Sequence, residues 1–553
     1  SGDADQTLSL AASLAAGSAA ADGTLTISGG ASARTMTIGG TAVTADTVNL
    51  SGVLSDTTMT MGTVDATITG GAGDDDVSFA NTLTSADTID LGDGNDRIIL
   101  DPSTNLTAAP TISNVEEIEI GATADVSLNL TSAAIPEIVL QAQNAVTNVA
   151  TLVNMAGITT ITADSGAANT DDDFNGVTLQ GTGYAGTSDA IAINVTSDTD
   201  QSTFGILTLN GVEDITLNVT GSASDFDTTF NNITSTSLNN VTVTSTGYGA
   251  SSVSTDIVLG AVNDGGSDTM LTFNASGANT GVSVTLADMI ASGSVTGSEY
   301  YDNISIVGSA ANVTVTGGAG NDILTGADNV DFIYGGAGND TIDSGDTDGS
   351  ATASQIFAGA GNDTVTVDEA DIVTLGTGVD TVFIDTAVST ATPVIVDIDF
   401  LDFAAGSGGD VIDFGNGAAA TAMDAAYIAF AGGTSESTMT ITTGTNVSIT
   451  TGLTVLTAAT AEAADVDSLA NIVTRINDLL SDGTTNTTDI LDLTANTDDA
   501  LFLIDDGTDT ALVHFEGDTT NVAADAADLD IIAIFRNTET SDFVGANFAD
   551  FIV

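Results

Sequence analysis

The feature that most constrains this chain is a nine-residue repeat built on glycine and aspartate. Gly317-Gly318-Ala319-Gly320-Asn321-Asp322-Ile323-Leu324-Thr325 runs directly into Gly326-Ala327-Asp328-Asn329-Val330-Asp331-Phe332-Ile333-Tyr334. Gly335-Gly336-Ala337-Gly338-Asn339-Asp340-Thr341-Ile342-Asp343 follows at once. Looser copies are Ala358-Gly359-Ala360-Gly361-Asn362-Asp363-Thr364-Val365 and Leu375-Gly376-Thr377-Gly378-Val379-Asp380-Thr381-Val382. A degenerate copy at 297–305 keeps Asp302 and Ile304 in the expected places. Near the N-terminus, Gly70-Gly71-Ala72-Gly73-Asp74-Asp75-Asp76-Val77 and Leu91-Gly92-Asp93-Gly94-Asn95-Asp96-Arg97-Ile98 form a separate pair. Glycine admits positive φ and a turn tight enough to aim carbonyls inward. The sixth-place aspartate adds a carboxylate to that cage, a donor set suited to a cation taking six to eight oxygens. The apolar eighth residue starts a short strand that points into a core. Repeats of this length stack as coils of a β-solenoid or parallel β-roll.

Composition narrows the partners. The 553 residues carry 76 acidic side chains against four basic ones, all arginine (Arg34, Arg97, Arg475, Arg536), for a formal charge of -72. Yet only 14% of residues are charged and 42% are hydrophobic, so the chain is not a disordered polyanion. Binding nucleic acid needs a basic face, which this composition excludes. With no cysteine and one histidine, cysteine-built zinc sites and thiol catalysis are excluded too. One-signed charge destabilises a compact state unless it is neutralised, and the natural counter-charge here is a hard divalent cation such as calcium. No stretch approaches the roughly 20 apolar residues of a membrane-spanning helix, so no membrane insertion is expected. The start, Ser1-Gly2-Asp3, lacks the basic and then apolar run of a secretory signal.

The nonapeptides resemble the RTX family of glycine- and aspartate-rich calcium-binding repeats. The resemblance implies several calcium ions, each lying between turns one coil apart, about eighteen residues. The first places at 317, 335, 358 and 375 are separated by 18, 23 and 17 residues, which locates an excursion at 344–354. It assigns the carboxylates of Asp322, Asp340, Asp363 and Asp380 to one ladder, with Asp302 as its first rung. Asp331 and Asp371 belong to a second, poorer ladder, and one ion is expected between Asp75 and Asp96. The backbone partners it implies are Gly317, Gly318, Ala319 and Gly320; Gly335, Gly336, Ala337 and Gly338; Ala358, Gly359, Ala360 and Gly361; Gly376, Thr377 and Gly378; Gly70, Gly71, Ala72 and Gly73; and Gly92, Asp93 and Gly94.

Two further resemblances extend along the chain. Asp402-Phe403-Ala404-Ala405-Gly406 with Gly409-Asp410-Val411-Ile412-Asp413-Phe414 is similar to the segment that closes RTX blocks in type I secretion substrates. The ending Asp550-Phe551-Ile552-Val553 is similar to their uncleaved C-terminal address. This implies that removing 501–553 blocks export and spares the roll. Asn114-Val115-Glu116-Glu117-Ile118-Glu119-Ile120 recurs as Gly211-Val212-Glu213-Asp214-Ile215-Thr216-Leu217 and as Leu238-Asn239-Asn240-Val241-Thr242-Val243. With Leu271-Thr272-Phe273-Asn274-Ala275-Ser276-Gly277 ahead of the RTX block, this order resembles surface-layer proteins of Gram-negative bacteria. The first sixty residues carry no such motif.

Elsewhere, Leu501–Ile504 and Ala511–Phe515 flank Asp505-Asp506-Gly507-Thr508-Asp509, a hairpin signature. Val466, Leu469, Ile472, Val473, Ile476, Leu479 and Leu480 follow helical spacing. His514 cannot make a two-histidine zinc motif, and no Gly-x-Ser-x-Gly elbow occurs, so an enzyme is not expected.

The sequence therefore predicts an all-β chain. An elongated β-solenoid or parallel β-roll with RTX calcium-binding turns is joined to a C-terminal β-rich domain with one helix. The expected division is 1–105, β-rich with an RTX-like turn pair; 106–296, irregular solenoid; 297–390, RTX β-roll; and 391–553, the C-terminal domain with the secretion signal. The resemblances imply an extracellular protein of the bacterial cell surface that assembles with copies of itself into a surface layer. Type I secretion machinery and lipopolysaccharide are its implied further partners. An RTX adhesin or matrix protein binding a surface or glycan is the alternative, and a fragment of a secreted RTX enzyme comes third.

Overall fold

The computed structural model describes residues 6–9, 23–28, most of 35–413, 440–442, 453–456, 472, 499–516 except 507, and most of 529–549. Nearly all of these lie in short strands or the turns between them. The chain forms two units, Ser1–Ser251 with Thr255–Asp288, and Ser252–Ser254 with Met289–Val553.

In the first unit the chain alternates between parallel sheets. One runs through Asp75–Phe79, Arg97–Leu100, Glu117–Ile120, Glu137–Gln141, Thr160–Asp164, Ala190–Thr196, Asp214–Thr220 and Asn240–Thr246. Its register stacks Val77, Ile98, Ile118, Ile138, Ile161, Ile193, Leu217 and Val243 in one column, every member fully buried. Burying each contributes roughly 1.5–3 kcal/mol, and a second buried column, from Phe79 and Leu100 to Val195 and Val219, runs beside it. The strands between these rungs join a five-stranded sheet from Thr24–Ser28 to Thr111–Ser113, and then a second sheet that begins at Leu106–Ala108. Within the second sheet Phe174, Phe204 and Phe230 stack at centroid separations of 5.3 Å. Polar outward positions form their own columns: Asn218 Nδ2 donates to Asn194 Oδ1 at 2.8 Å, and Thr244 Oγ1 donates to Asn218 Oδ1 at 2.7 Å.

The second unit contains the nonapeptides. Thr314–Ala319, Phe332–Ala337, Gln355–Ala360 and Ile372–Thr377 pair in parallel on one side. Asn303–Val307, Ile323–Thr325, Thr341–Asp343, Thr364–Val367, Thr381–Ile384 and Val411–Asp413 do so on the other. The eighth-place residues Ile304, Leu324, Ile342, Val365 and Val382 stack in register, all fully buried. This is the expected parallel β-roll. The five residues added to the coil fall between Asp343 and Gln355.

The end of the chain corrects one expectation. Leu529–Phe535 pairs in parallel with Ile398–Phe400, and Phe548–Ala549 with Val411–Asp413. Residues from the C-terminus thus add a rung to both sheets of the roll. Phe535, Phe543 and Phe548 pack with Phe400 and Phe403 in one aromatic cluster, and Asn547 Nδ2 donates to the Asp410 carbonyl at 2.7 Å. Apolar area and backbone hydrogen bonds both tie this segment to the roll, so its removal is expected to expose the roll's last rung. Asp499–Asp505 and Thr510–Glu516 form the expected hairpin, with Asp506 Oδ1 accepting the Thr508 and Asp509 N–H groups in the turn. The predicted helix lies outside the described residues except for Ile472, which is helical and buried.

Candidate metal centre

The roll turns are set by glycine. Gly336 and Gly338 have φ of 116° and 132°, a region that costs an L-residue with a side chain about 1–2 kcal/mol. Space forbids a side chain as well: a Cβ on Gly338 would lie 1.4 Å from the Gly320 carbonyl oxygen of the preceding coil. The same positive-φ pair recurs at Gly318/Gly320, Gly359/Gly361, Gly376/Gly378 and, in the first unit, Gly92/Gly94. The third-place residues Ala319, Ala337, Ala360 and Thr377 fall in register between these pairs.

The sixth-place aspartates form a ladder. The backbone N–H of Asp302 donates to Asp322 Oδ1, that of Asp322 to Asp340 Oδ1, that of Asp340 to Asp363 Oδ1, and that of Asp363 to Asp380 Oδ1, each at 2.8 Å. Asp380 N–H donates to Asp410 Oδ1 at 3.0 Å. Asp322, Asp340, Asp363 and Asp380 are about 1% exposed, and the second oxygen, Oδ2, of each has no hydrogen-bond partner. Asp96 shows the same: Oδ1 accepts the Asp75 N–H at 2.8 Å, and Oδ2 is buried without a partner. A buried carboxylate oxygen left unsatisfied is costly and calls for a cation.

A carbonyl oxygen of the neighbouring coil lies close to Oδ2. The space a Cβ on Gly335 would occupy lies 2.5 Å from Asp340 Oδ2 and 2.3 Å from the Ala358 carbonyl oxygen of the next coil. On Gly317 it lies 2.3 Å from Asp322 Oδ2 and 2.7 Å from the Gly335 carbonyl oxygen. Each cradle joins a free carboxylate oxygen to a carbonyl one coil away, a donor set that fits a hard cation. Among the described residues no group of three or more histidine, cysteine, aspartate or glutamate side chains is placed to hold a metal ion by side chains alone.

Asp75, Asp302 and Asp331 differ in that Oδ2 is hydrogen-bonded, although a Cβ on Gly297 would lie 2.5 Å from Asp302 Oδ2 and 2.4 Å from the Gly317 carbonyl oxygen in the same kind of cradle. Asp302 Oδ2 accepts the Ser298 N–H at 2.6 Å, and Asp75 Oδ2 accepts the Gly71 N–H at 2.9 Å. Asp75 Oδ1 accepts the Thr57 N–H, also at 2.9 Å. Asp331 accepts the N–H groups of Val313 and Ala327, each at 2.9 Å. The second ladder runs through a serine: Asp331 N–H donates to Ser354 Oγ at 3.1 Å, and Ser354 N–H to Asp371 Oδ1 at 2.9 Å. Gly70, Gly71 and Gly73 do not take the positive-φ conformation of Gly92 and Gly94. The coil before them carries no matching glycine pair: Cβ atoms on Gly71 and Gly73 would meet Val53 O and Asp56 N, each at 2.4 Å. Asp93 lies between Gly92 and Gly94 and donates its N–H to the Gly71 carbonyl at 3.1 Å.

Burial makes the ladder carboxylates reluctant to ionise without a cation. It pushes Asp322 up to about 8, helped by the neighbouring charges of Asp302 and Asp340. Burial likewise raises Asp380 and Asp96 to about 7, Asp340 to about 6, and Asp363 above the ordinary range.

One feature escaped the sequence reading. The fifth-place asparagines form a counter-ladder on the outer side: Asn339 N–H donates to Asn321 Oδ1 at 2.8 Å, and Asn362 N–H to Asn339 Oδ1 at 2.7 Å. Their recurrence at the fifth place was the available signal. Asp402 and Asp410 end the roll, with Asp402 accepting the Leu375 and Gly376 N–H groups at 2.7 and 2.8 Å, and Asp410 Oδ2 accepting the Ala404 N–H at 2.7 Å.

A parallel roll with glycine turns, a carboxylate ladder and inter-coil oxygen cradles defines a calcium-binding repeat protein. Residues 79–102, 305–333, 316–351 and 348–382 match the family model of the RTX calcium-binding nonapeptide repeat. The chain thus carries RTX calcium-binding repeats in both units. No curated protein matches it. No helix among the described residues is long and apolar enough to cross a membrane.

Proposed function

We propose that the turns at Asp96, Asp322, Asp340, Asp363 and Asp380 hold calcium, and that the chain is an extracellular structural protein assembling into a calcium-dependent surface layer. Carbonyls of the positive-φ turns and the free Oδ2 atoms would hold each ion between coils. The ion would neutralise carboxylates that otherwise repel, and so couple folding of the roll to the high calcium outside the cell. Export through type I machinery would precede that folding, and attachment to the cell, with lipopolysaccharide as the candidate anchor, would follow it. The role is structural rather than catalytic.

One observation carries the assembly reading. Both described arginines are consumed inside the chain: Arg97 contacts Asp76 at 3.0 Å and Glu119 at 2.7 Å, and Arg536 contacts Asp399 at 2.7 Å and Asp509 at 3.1 Å. With no lysine and a charge of -72, copies meeting edge to edge need bridging divalent cations rather than salt bridges. Simple salt screens such repulsion only beyond about 8 Å. The test is electron microscopy of the purified protein in millimolar calcium, and in chelator with sodium chloride at equal ionic strength. Ordered sheets in calcium alone support the reading. Dispersed particles that bind a surface or glycan support the adhesin alternative.

A further inference from the structure

The aspartate turns fall into two classes, and the residue four places before the aspartate separates them. In the first class the carboxylate turns back on its own loop. Asp75 Oδ2 accepts the N–H of Gly71, Asp302 Oδ2 that of Ser298, and Asp331 Oδ2 that of Ala327, at 2.9, 2.6 and 2.9 Å. In the second class the residue four places back is Gly92, Gly318, Gly336, Gly359 or Gly376, each with positive φ between 98° and 126°. There the corresponding Oδ2 atoms, on Asp96, Asp322, Asp340, Asp363 and Asp380, have no partner. Rotating that one peptide withdraws the N–H that would satisfy the carboxylate.

We infer that the backbone conformation at the second place is the specificity switch of this solenoid: positive φ there leaves an aspartate turn open to a cation, and its absence lets the turn close on itself. Asp75, Asp302 and Asp331 are then ion-independent closures. Ser298 and Ala327 enforce closure through their side chains, because neither residue type readily adopts positive φ. Gly71 closes without a side chain to enforce it: its φ is not positive and its N–H stays on Asp75 Oδ2. The closures lie where the ladders begin. Asp302 precedes Asp322 on one ladder, and Asp75 precedes Asp96 on the other. Each ladder therefore starts on a rung that satisfies itself, from which ion-dependent coils extend.

This inference rests on the proposed calcium sites, and the test separates the two. The full chain is brought to saturating calcium and its bound ions are counted by native mass spectrometry, for wild type and for Asp75→Asn, Asp302→Asn, Asp96→Asn and Asp340→Asn. Asp75→Asn and Asp302→Asn should keep the wild-type ion count. Asp96→Asn and Asp340→Asn should each bind one fewer. Counts are read on folded chains only, and the two independent closures guard against one variant failing to fold. Loss of an ion in Asp75→Asn or Asp302→Asn overturns the switch while leaving calcium binding standing. A wild type that binds no calcium overturns the proposed function itself.

Discussion

Replacing Gly338 by alanine, with Gly408→Ala as the control, isolates what the turn glycines do. Both residues have positive φ, 132° and 82°, so each substitution incurs about 1–2 kcal/mol of backbone strain. Around Gly408 nothing lies within 4 Å of the new Cβ, so strain is the whole cost. At Gly338 the new Cβ would sit 1.4 Å from the Gly320 oxygen, and the coils, normally about 4.8 Å apart, must separate. Separation breaks the Gly320 N–H to Ala337 O bond (2.8 Å) between those two coils, at about 0.5–1.5 kcal/mol. The sum is about 1.5–3.5 kcal/mol, or a loss of roughly 10- to 300-fold in protection at 1.4 kcal/mol per tenfold. Amide hydrogen exchange of residues 314–384 at fixed calcium reads this directly. Equal losses in Gly338→Ala and Gly408→Ala would refute the steric argument.

Other consequences are open to test. Because burial raises the folded pKa of Asp322 to about 8 and of Asp380 to about 7, the ion-free roll is favoured by protonation and loses stability as pH rises from about 4 to about 8. Calcium competes with those protons, so its affinity should rise over the same window; calorimetric titrations at pH 5.5 and 8 giving equal affinity would contradict this. Arg97→Gln strips a shared cation from Asp76, Glu117 and Glu119 and should lower the melting temperature of the full chain, with the difference shrinking in high salt because the group is one-third exposed. Deleting residues 529–553 should expose Phe400 and Phe403 and raise the calcium needed to fold the roll, read as the midpoint of a far-ultraviolet dichroism titration; an unchanged midpoint would show that the final rung is dispensable.

The roll was legible because its information is local. Glycine spacing dictates the turn, the sixth-place aspartate the ladder, and the eighth-place residue the core column from Ile304 to Val382. Three features were not legible, for physical reasons. Gly71 and Gly92 sit in similar motifs, yet only Gly92 adopts positive φ, a difference the residue type at that place does not carry. The first unit has coils whose register steps vary from 18 residues at Thr57–Asp75 to 32 at Asn240–Thr272, so no fixed period announces them. The closing rung joins Ile398 to Ala533 across more than a hundred residues, a pairing that local periodicity cannot reveal.

The central claim is that buried aspartate oxygens between coils are calcium ligands. A crystal of the calcium-loaded protein, with anomalous difference density collected at a wavelength where calcium scatters, tests it most directly. The account predicts peaks at about 2.3–2.6 Å from Oδ2 of Asp96, Asp322, Asp340, Asp363 and Asp380. A map with no peak at those oxygens would contradict it.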